Sequence, residues 1–311
     1  MKLAFLFPGQ GSQRVGMGVE LARNFTIARE TFAEADDVLG FKISKLCFEG
    51  PDEELRLTMH TQPAILTNSI AALRVLESET AVRAEVAAGH SLGEYSALVA
   101  AGALRFRDAV TAVRERGRLM QEACPAGQGA MAALIGLELD AVNEICAQVS
   151  AGGEIAVPSN LNAPGQIVIA GHAVPVRRAI ELAKARGAKM SQELNVSAPF
   201  HCPLMKPAQD GMKPLLEQLK IDSFRFGVIA NVNARVNSDP AKVVSLLLEQ
   251  ITAPVRWEES TKQLAPLGVT NAIEFGGKVL MGLMRRIDRN LKVQPLEDPA
   301  GLDALKKELG N

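Results

Sequence analysis

Glu85-Val86-Ala87-Ala88-Gly89-His90-Ser91-Leu92-Gly93-Glu94-Tyr95-Ser96-Ala97-Leu98-Val99-Ala100-Ala101 decides how the rest of this chain is read. Glu85–Ala88 is a short apolar run that predicts a strand. Glu94–Ala101 is helix-prone, with Gly102 as its C-cap. Between them, Gly89-His90-Ser91-Leu92-Gly93 fits G-x-S-x-G, the tight turn that lifts a serine out of a strand–helix junction. Small residues two positions either side of Ser91 let the backbone cross closely. The hydroxyl then stands at a helix N-terminus, where the dipole favours developing negative charge. A plain N-cap serine is the bland alternative. The strand before and the helix after favour a nucleophile.

Upstream, Leu3–Phe7 predicts a first strand, followed by the Gly-rich turn Gly9-Gln10-Gly11-Ser12-Gln13. Arg14 occupies the place of the last glycine of a dinucleotide fingerprint, and the Lys of a phosphate-binding loop is missing. A neutral polar loop after the first strand can instead present the backbone N–H of Gln10. An oxyanion hole needs two such donors, and the N–H of Leu92, just after the serine, would be the other. Helical periodicity covers residues 18–39, Ala64–Leu76 and Phe106–Gln121.

Downstream the rhythm changes. Ala130–Leu137 predicts a strand, Asp140–Val149 a helix, Ile155–Leu161 and Gln166–Ala170 two strands joined by Asn162-Ala163-Pro164-Gly165, Val174–Arg186 a helix and Ala188–Val196 a strand. That order is β-α-β-β-α-β, the ferredoxin-like split unit. The fold class is therefore α/β. A ferredoxin-like subdomain of residues 126–196 is inserted into a core made of residues 1–125 and 197–311, with Pro-Gly punctuation at its start and Pro199 just past its end.

The 311 residues are 47% hydrophobic and 22% charged, ordinary globular usage that excludes long disorder. Thirty-four Lys and Arg against 35 Asp and Glu leave a net charge of −1, which argues against a nucleic-acid binder. No stretch approaches the ~20 apolar residues of a membrane helix. The four cysteines, Cys47, Cys124, Cys146 and Cys202, show no metal-ligand spacing. They read as reduced thiols of a cytoplasmic protein.

An activated serine needs a base within hydrogen-bond reach. His60 and His172 lie in polar, turn-like surroundings. His90 neighbours Ser91, so its ring points away from the hydroxyl. That leaves His201, in Ser197-Ala198-Pro199-Phe200-His201-Cys202-Pro203, where two prolines stiffen the loop. Cys202 beside it reads as packing. The nearest acid before it, Glu193, falls inside a predicted strand, so a Ser–His dyad fits better than a triad. Arg116 sits on the more apolar flank of its helix, with Gly117 allowing another element to approach. A surface arginine is the ordinary reading. A carboxylate-bearing substrate would reverse it.

Together, Phe7–Gln13, Gly89–Glu94, Arg114–Gln121 and Pro199–Leu204 resemble the malonyl-CoA:acyl-carrier-protein transacylases of type II fatty-acid synthesis and the acyltransferase domains of polyketide synthases. The matching segments run from Phe7 to about Arg286. The resemblance implies an α/β-hydrolase-like core with a parallel sheet and an inserted ferredoxin-like subdomain. It implies that Ser91 is acylated, that His201 is the catalytic histidine and that Arg116 binds the malonyl carboxylate. The backbone N–H groups of Gln10 and Leu92 would form the oxyanion hole, and the main-chain carbonyl of Gln250 would orient His201. Phe200 resembles the residue of polyketide acyltransferases that select malonyl units. The implied reaction is ping-pong transfer from malonyl-CoA to acyl carrier protein, by a monomer without metal or redox cofactor and without nucleic-acid or membrane partners.

Because such carriers are acidic, a basic patch is expected, with Lys184, Arg186 and Lys189, or Arg285 and Arg286, as candidates. The family's C-terminal E-x-G-P-G-K-V-L is one residue shorter here, Glu274-Phe275-Gly276-Gly277-Lys278-Val279-Leu280, which leaves that loop's shape open. Alternatives to fatty-acid supply are a serine thioesterase or esterase, an acyltransferase subunit of a polyketide or malonate-decarboxylase system, and a non-catalytic scaffold.

Overall fold

The computed structural model describes residues 2–125, 127–196 and 198–309, with Leu309 described through its backbone alone. Ala126 and Ser197, where the sequence reading sets the ends of the inserted segment, lie outside the described residues. The strands are β1 (Leu3–Phe7), β2 (Val86–Gly89), β3 (Gly129–Ile135), β4 (Ala156–Ala163), β5 (Gln166–His172), β6 (Met190–Glu193), β7 (Gly227–Ile229), β8 (Val236–Asn237), β9 (Asn271–Phe275) and β10 (Lys292–Leu296). They form two sheets.

The larger has the order β10-β9-β1-β2-β7-β8 and is parallel except for the short edge strand β8. Its central strands β1 and β2 are buried along their whole length, as a parallel sheet covered on both faces requires. The smaller sheet, β4-β5-β3-β6, is antiparallel throughout. With helices Leu139–Val149 and Ala173–Ala185 against it, it has the strand order of a split β-α-β. It packs around its own core of Ala132, Leu134, Val142, Ile145, Ile169 and Val176. Its last strand stops at Glu193, short of the expected Val196, because β6 pairs with β3 only from Met190 to Glu193.

The small sheet is tied to the core along β4. Leu161 N–H donates to the Val255 carbonyl at 2.9 Å and Val255 N–H donates to the Ser159 carbonyl at 2.9 Å. His90 Nε2 meets Asn162 Oδ1 at 2.8 Å, so the ring does turn away from Ser91, toward the inserted sheet.

Two helices differ from their sequence reading. The stretch over residues 18–39 is broken at Phe25, whose extended backbone separates helices Val19–Asn24 and Thr26–Leu39. The helix expected over Ala64–Leu76 runs from Thr58 to Glu79 and is buried on nearly every side. Its first turns, Thr58-Met59-His60-Thr61-Gln62-Pro63, are mostly polar and hold a proline, so no apolar stripe marks where it begins. Pro63 lies within its second turn and has no N–H for the Met59 carbonyl. Arg114 Nη1 takes that acceptor instead, at 2.7 Å. Among the described residues, no helix is long and apolar enough to cross a membrane.

The turn at Ser91 depends on its glycines. A Cβ at Gly89 would lie 1.9 Å from the Gly93 backbone, and a Cβ at Gly93 would lie 2.2 Å from the Phe7 carbonyl oxygen. Strand β1, the turn and the following helix Gly93–Ala100 thus pack backbone to backbone. Since only main-chain atoms could yield, Gly93→Ala should cost about 3 kcal/mol or more of stability. Chemical denaturation checks this, and a variant with an unchanged midpoint would contradict the packing.

Candidate active site

Ser91 has φ 53°, a left-handed backbone rare for a residue with a side chain. Asn231 clasps the strained turn from both sides: its Oδ1 accepts from Ser91 N–H at 2.7 Å and its Nδ2 donates to the Gly89 carbonyl at 2.7 Å. His201, between Pro199 and Pro203, is strained in the same way, with φ 59°. Two residues held in this region and facing one another suggest a functional constraint.

Ser91 Oγ lies 2.7 Å from His201 Nε2, and His201 Nδ1 lies 2.8 Å from the Gln250 main-chain carbonyl. A carbonyl there fixes the tautomer with the proton on Nδ1, leaving Nε2 to accept from the serine. The ring is 3% exposed. Burial, and next the nearby Arg116 charge, pull its pKa down to about 3, so the resting imidazole is neutral and its Nε2 is an acceptor. Glu193 lies away from His201, ion-paired to Arg177 on the surface. The pair is a dyad.

Arg116 is 1% exposed. Its Nη1 donates to Gln62 Oε1 at 2.7 Å, and its Nη2 to Gln250 Oε1 at 2.9 Å and to Ser91 Oγ at 3.2 Å. The arginine is therefore no surface residue, and it touches the nucleophile. Gly117 beside it is required: a Cβ would lie 2.6 Å from the Thr58 carbonyl oxygen, at the start of the crossing helix.

Gln10, Ser91, Leu92, Arg116, Phe200 and His201 line one cavity of about 210 Å³, while Gln250 meets it through its bonds to Arg116 and His201. That is below the roughly 300–1,000 Å³ of sites for drug-sized ligands and suits a short acyl group. Its far wall, Met131, Asn160, Asn162, Val168 and Leu194, comes from the inserted segment. Among the described residues, neither Gln10 N–H nor Leu92 N–H has a main-chain acceptor. The shortened C-terminal loop closes without the proline. The Glu274 carboxylate accepts from Leu280 and Met281 N–H at 2.9 and 2.7 Å, and Gly277 packs on Pro8 and Ser12, beside the Gln10 loop.

Cys202 is buried and its thiol is pushed up to about 12 by burial, so it is not a second nucleophile. His60 and His172 are half-buried and bonded to backbone, at the Glu54 carbonyl and the Ile155 N–H. Sequence reasoning missed Gln62, Asn231 and Glu94. Only Glu94 carried a signal, a lone carboxylate opening an otherwise apolar helix. Gln62 and Asn231 sit in no local pattern.

A strained serine on a strand–helix turn, a neutral histidine beside it and a buried cation touching the hydroxyl define a serine acyl-transfer enzyme. Residues 4–290 match the family model described as an acyl transferase domain. The chain is 49% identical over 315 residues to a malonyl CoA-acyl carrier protein transacylase of Bacillus subtilis, covering 100% of this chain and 99% of the relative. A transacylase of the same name from Salmonella typhimurium is 46% identical over 304 residues, with 97% and 98% covered. The solved transacylase of Coxiella burnetii matches with a TM-score of 0.97 at 42% identity, over 100% of this chain and 98% of that one. A malonyl-transacylase solved in complex with its type II PKS acyl-carrier protein matches at 0.96 and 43%, over 100% of both chains. The chain belongs to the acyl transferase family, among the malonyl CoA-acyl carrier protein transacylases.

The depressed His201 pKa has a consequence for stability. The unfolded ring takes up its proton near 6.5, whereas the folded ring stays neutral down to about 3. Stability from this site is present above pH 6.5 and is lost as pH falls through that window. Between pH 7.5 and 5.0 the wild type should lose roughly 1–2 kcal/mol more than His201→Asn. Denaturant titrations at the two pH values measure the difference, and equal losses would show that the ring is not held neutral.

Proposed function

We propose that this chain transfers the malonyl group from malonyl-CoA to the phosphopantetheine thiol of acyl carrier protein, supplying two-carbon units for fatty-acid elongation. The observation that carries the reading is Arg116 Nη2 at 3.2 Å from Ser91 Oγ, in a cavity sized for a short acyl group. A carboxylate two carbons from the acyl carbon falls within reach of a guanidinium placed there, and arginine binds carboxylates bidentately.

In the first half-reaction, Ser91 Oγ gives its proton to His201 Nε2 and attacks the thioester carbonyl. The oxyanion rests on the N–H groups of Gln10 and Leu92. As the C–S bond breaks, CoA leaves as the thiol, carrying the proton from His201. In the second, the carrier's thiol gives its proton to His201 and attacks malonyl-Ser91. The C–O bond breaks and Ser91 recovers its proton. A carbonyl at His201 Nδ1 suffices, because the base holds a proton only within each half-reaction, from attack to departure of the leaving group.

The carrier's docking face is read from the cations left unpaired. Lys184 is ion-paired with Glu181 and Arg186 with Glu144, which removes them from the candidates. Lys189 packs on Gly136, Gly136 N–H donates to the Gly165 carbonyl, and Arg286 Nη1 donates to Gln166 Oε1. Lys189 and Arg286, from the two separate candidate groups, thus flank one corner. That corner belongs to the hairpin that carries Asn162 into the cavity wall, so it suits an acidic carrier delivering its arm. In this reading the chain works as a cytoplasmic monomer without nucleic-acid or membrane partners, and the net charge of −1 fits it.

Incubation with malonyl-CoA followed by intact-protein mass spectrometry should show a malonyl adduct that is absent in Ser91→Ala; an undiminished adduct there ends the assignment. Arg116→Ala should lose malonyl transfer by about 100-fold or more and gain relative acetyl transfer. The acyl-transfer assay with both thioesters measures this, and unchanged selectivity removes the arginine's role. Arg286→Glu should raise the KM for carrier protein about tenfold and leave that for malonyl-CoA alone. Equal KM values for carrier in the two enzymes would move the docking site elsewhere.

A further inference from the structure

Arg116 is a buried cation whose acceptors, Gln62, Gln250 and Ser91, are all neutral. Its Nε has no partner among the described residues. A buried charge is strongly unfavourable without a compensating one. The anion is Glu94, 3% exposed, one residue past the second glycine of the turn. Glu94 Oε2 accepts from Gln250 Nε2 at 2.7 Å and from Asn231 N–H at 3.0 Å. The Gln250 carboxamide therefore stands between cation and anion, with its oxygen toward the guanidinium and its N–H toward the carboxylate. Reversed, it would set donor against donor at Arg116 and acceptor against acceptor at Glu94. Glu94 thus fixes the direction of a residue that also donates to the Ser91 carbonyl at 3.0 Å and holds His201 through its own carbonyl.

We infer that Glu94 is a positioning residue: the counter-anion of Arg116 in the resting enzyme, acting through the Gln250 carboxamide and moderating how tightly Arg116 grips the carboxylate of the acyl group. The inference rests on the reading of Arg116 as the malonyl-binding cation. Moderation matters because the acyl group must also leave: a carboxylate held too firmly in the acyl-enzyme slows the second half-reaction. The effect is one of charge, so it acts on malonyl and not on acetyl.

The charged or titratable groups around Glu94 are few. Arg116 faces it from helix Phe106–Glu122 and Tyr95 shares its own helix, while Asn231 and Gln250 are neutral. Val228 and Val243, from the neighbouring strand and helix, are apolar. His201 lies beyond Arg116 and is held neutral. Burial pushes the Glu94 carboxyl up to about 7, so it is charged at pH 8 and largely protonated at pH 6.

Glu94→Gln keeps an acceptor oxygen for Asn231 and Gln250 and removes the charge. At pH 8 its KM for malonyl-CoA should fall about tenfold and its kcat severalfold, with the KM for acetyl-CoA within about twofold of wild type. The malonyl difference should close toward pH 6, where the wild-type carboxyl is itself neutral. A merely structural cap would shift both substrates alike at every pH. Wild-type malonyl KM at pH 8 in folded Glu94→Gln, or equal shifts for the two substrates, overturns the inference. If Arg116→Ala meanwhile loses malonyl selectivity, the functional reading stands without it; if Arg116→Ala keeps that selectivity, the functional reading itself fails. Should Glu94→Gln not fold, Glu94→Asp decides. It retains the charge with a shorter reach, so kcat should fall with the malonyl-to-acetyl KM ratio unchanged, and a changed ratio overturns the inference.

Discussion

Everything at the site hangs on the main chain of Ser91 being held where an L-residue resists going. The left-handed φ aims Oγ outward over the end of the parallel sheet, and the turn is tight enough that neither flanking glycine has room for a Cβ. Strain of this kind, of order 1–3 kcal/mol, persists only when the surroundings over-determine it. Here they do. Strand β1 passes directly beneath the helix start, and the Asn231 side chain grips the main chain before and at the serine. The large sheet is thus the anvil for one bent residue, and β7 is followed at once by the asparagine that clamps it.

The inserted sheet supplies the other half of the enclosure. β4 is bonded on both sides of Val255, in the segment just after the helix carrying Gln250, and His90 reaches from the turn to Asn162. The same hairpin walls the cavity and sits beside the loop of His201. The histidine that meets the serine therefore follows the insertion in the chain, and both bonds to its ring come from the core, at Ser91 and Gln250. This explains why the cavity is small although its lining comes from elements far apart in sequence. Met131, Asn160, Asn162, Val168 and Leu194 bound the cavity on that side.

What could be read in the chain follows from how local each signal is. Gly89-His90-Ser91-Leu92-Gly93 carries its own geometry, since the glycines are needed within five residues of the serine. The β-α-β-β-α-β rhythm is likewise sequential, and both survive into the structure. His201 was reachable by elimination among four histidines, and its prolines marked a stiff loop. Arg116 could be placed on an apolar flank but not beside the serine, because the crossing helix that buries it begins at Thr58, inside a stretch without periodicity. Asn231, Gln62 and the Gln250 side chain were illegible. Each works by a contact more than 15 residues away, and neither composition nor spacing distinguishes a clamp amide from a surface one. Gln250 came only from family resemblance, and that resemblance spoke of its carbonyl alone.

The amide-rich surroundings of the dyad have a physical reason. A carboxylate at His201 Nδ1 would stabilise the imidazolium, but it would also sit within a few ångströms of Arg116 in a cavity of low dielectric. The two would pair, and the guanidinium would no longer be available to a substrate anion. A backbone carbonyl orients the ring without bringing a charge. The buried Glu94 carboxylate is instead separated from the cation by the Gln250 carboxamide, which bonds to each of them. On the proposed reading of Arg116 as the carboxylate-binding cation, a transferase of a charged acyl group needs that cation unspent, and a histidine oriented by a carbonyl leaves it so.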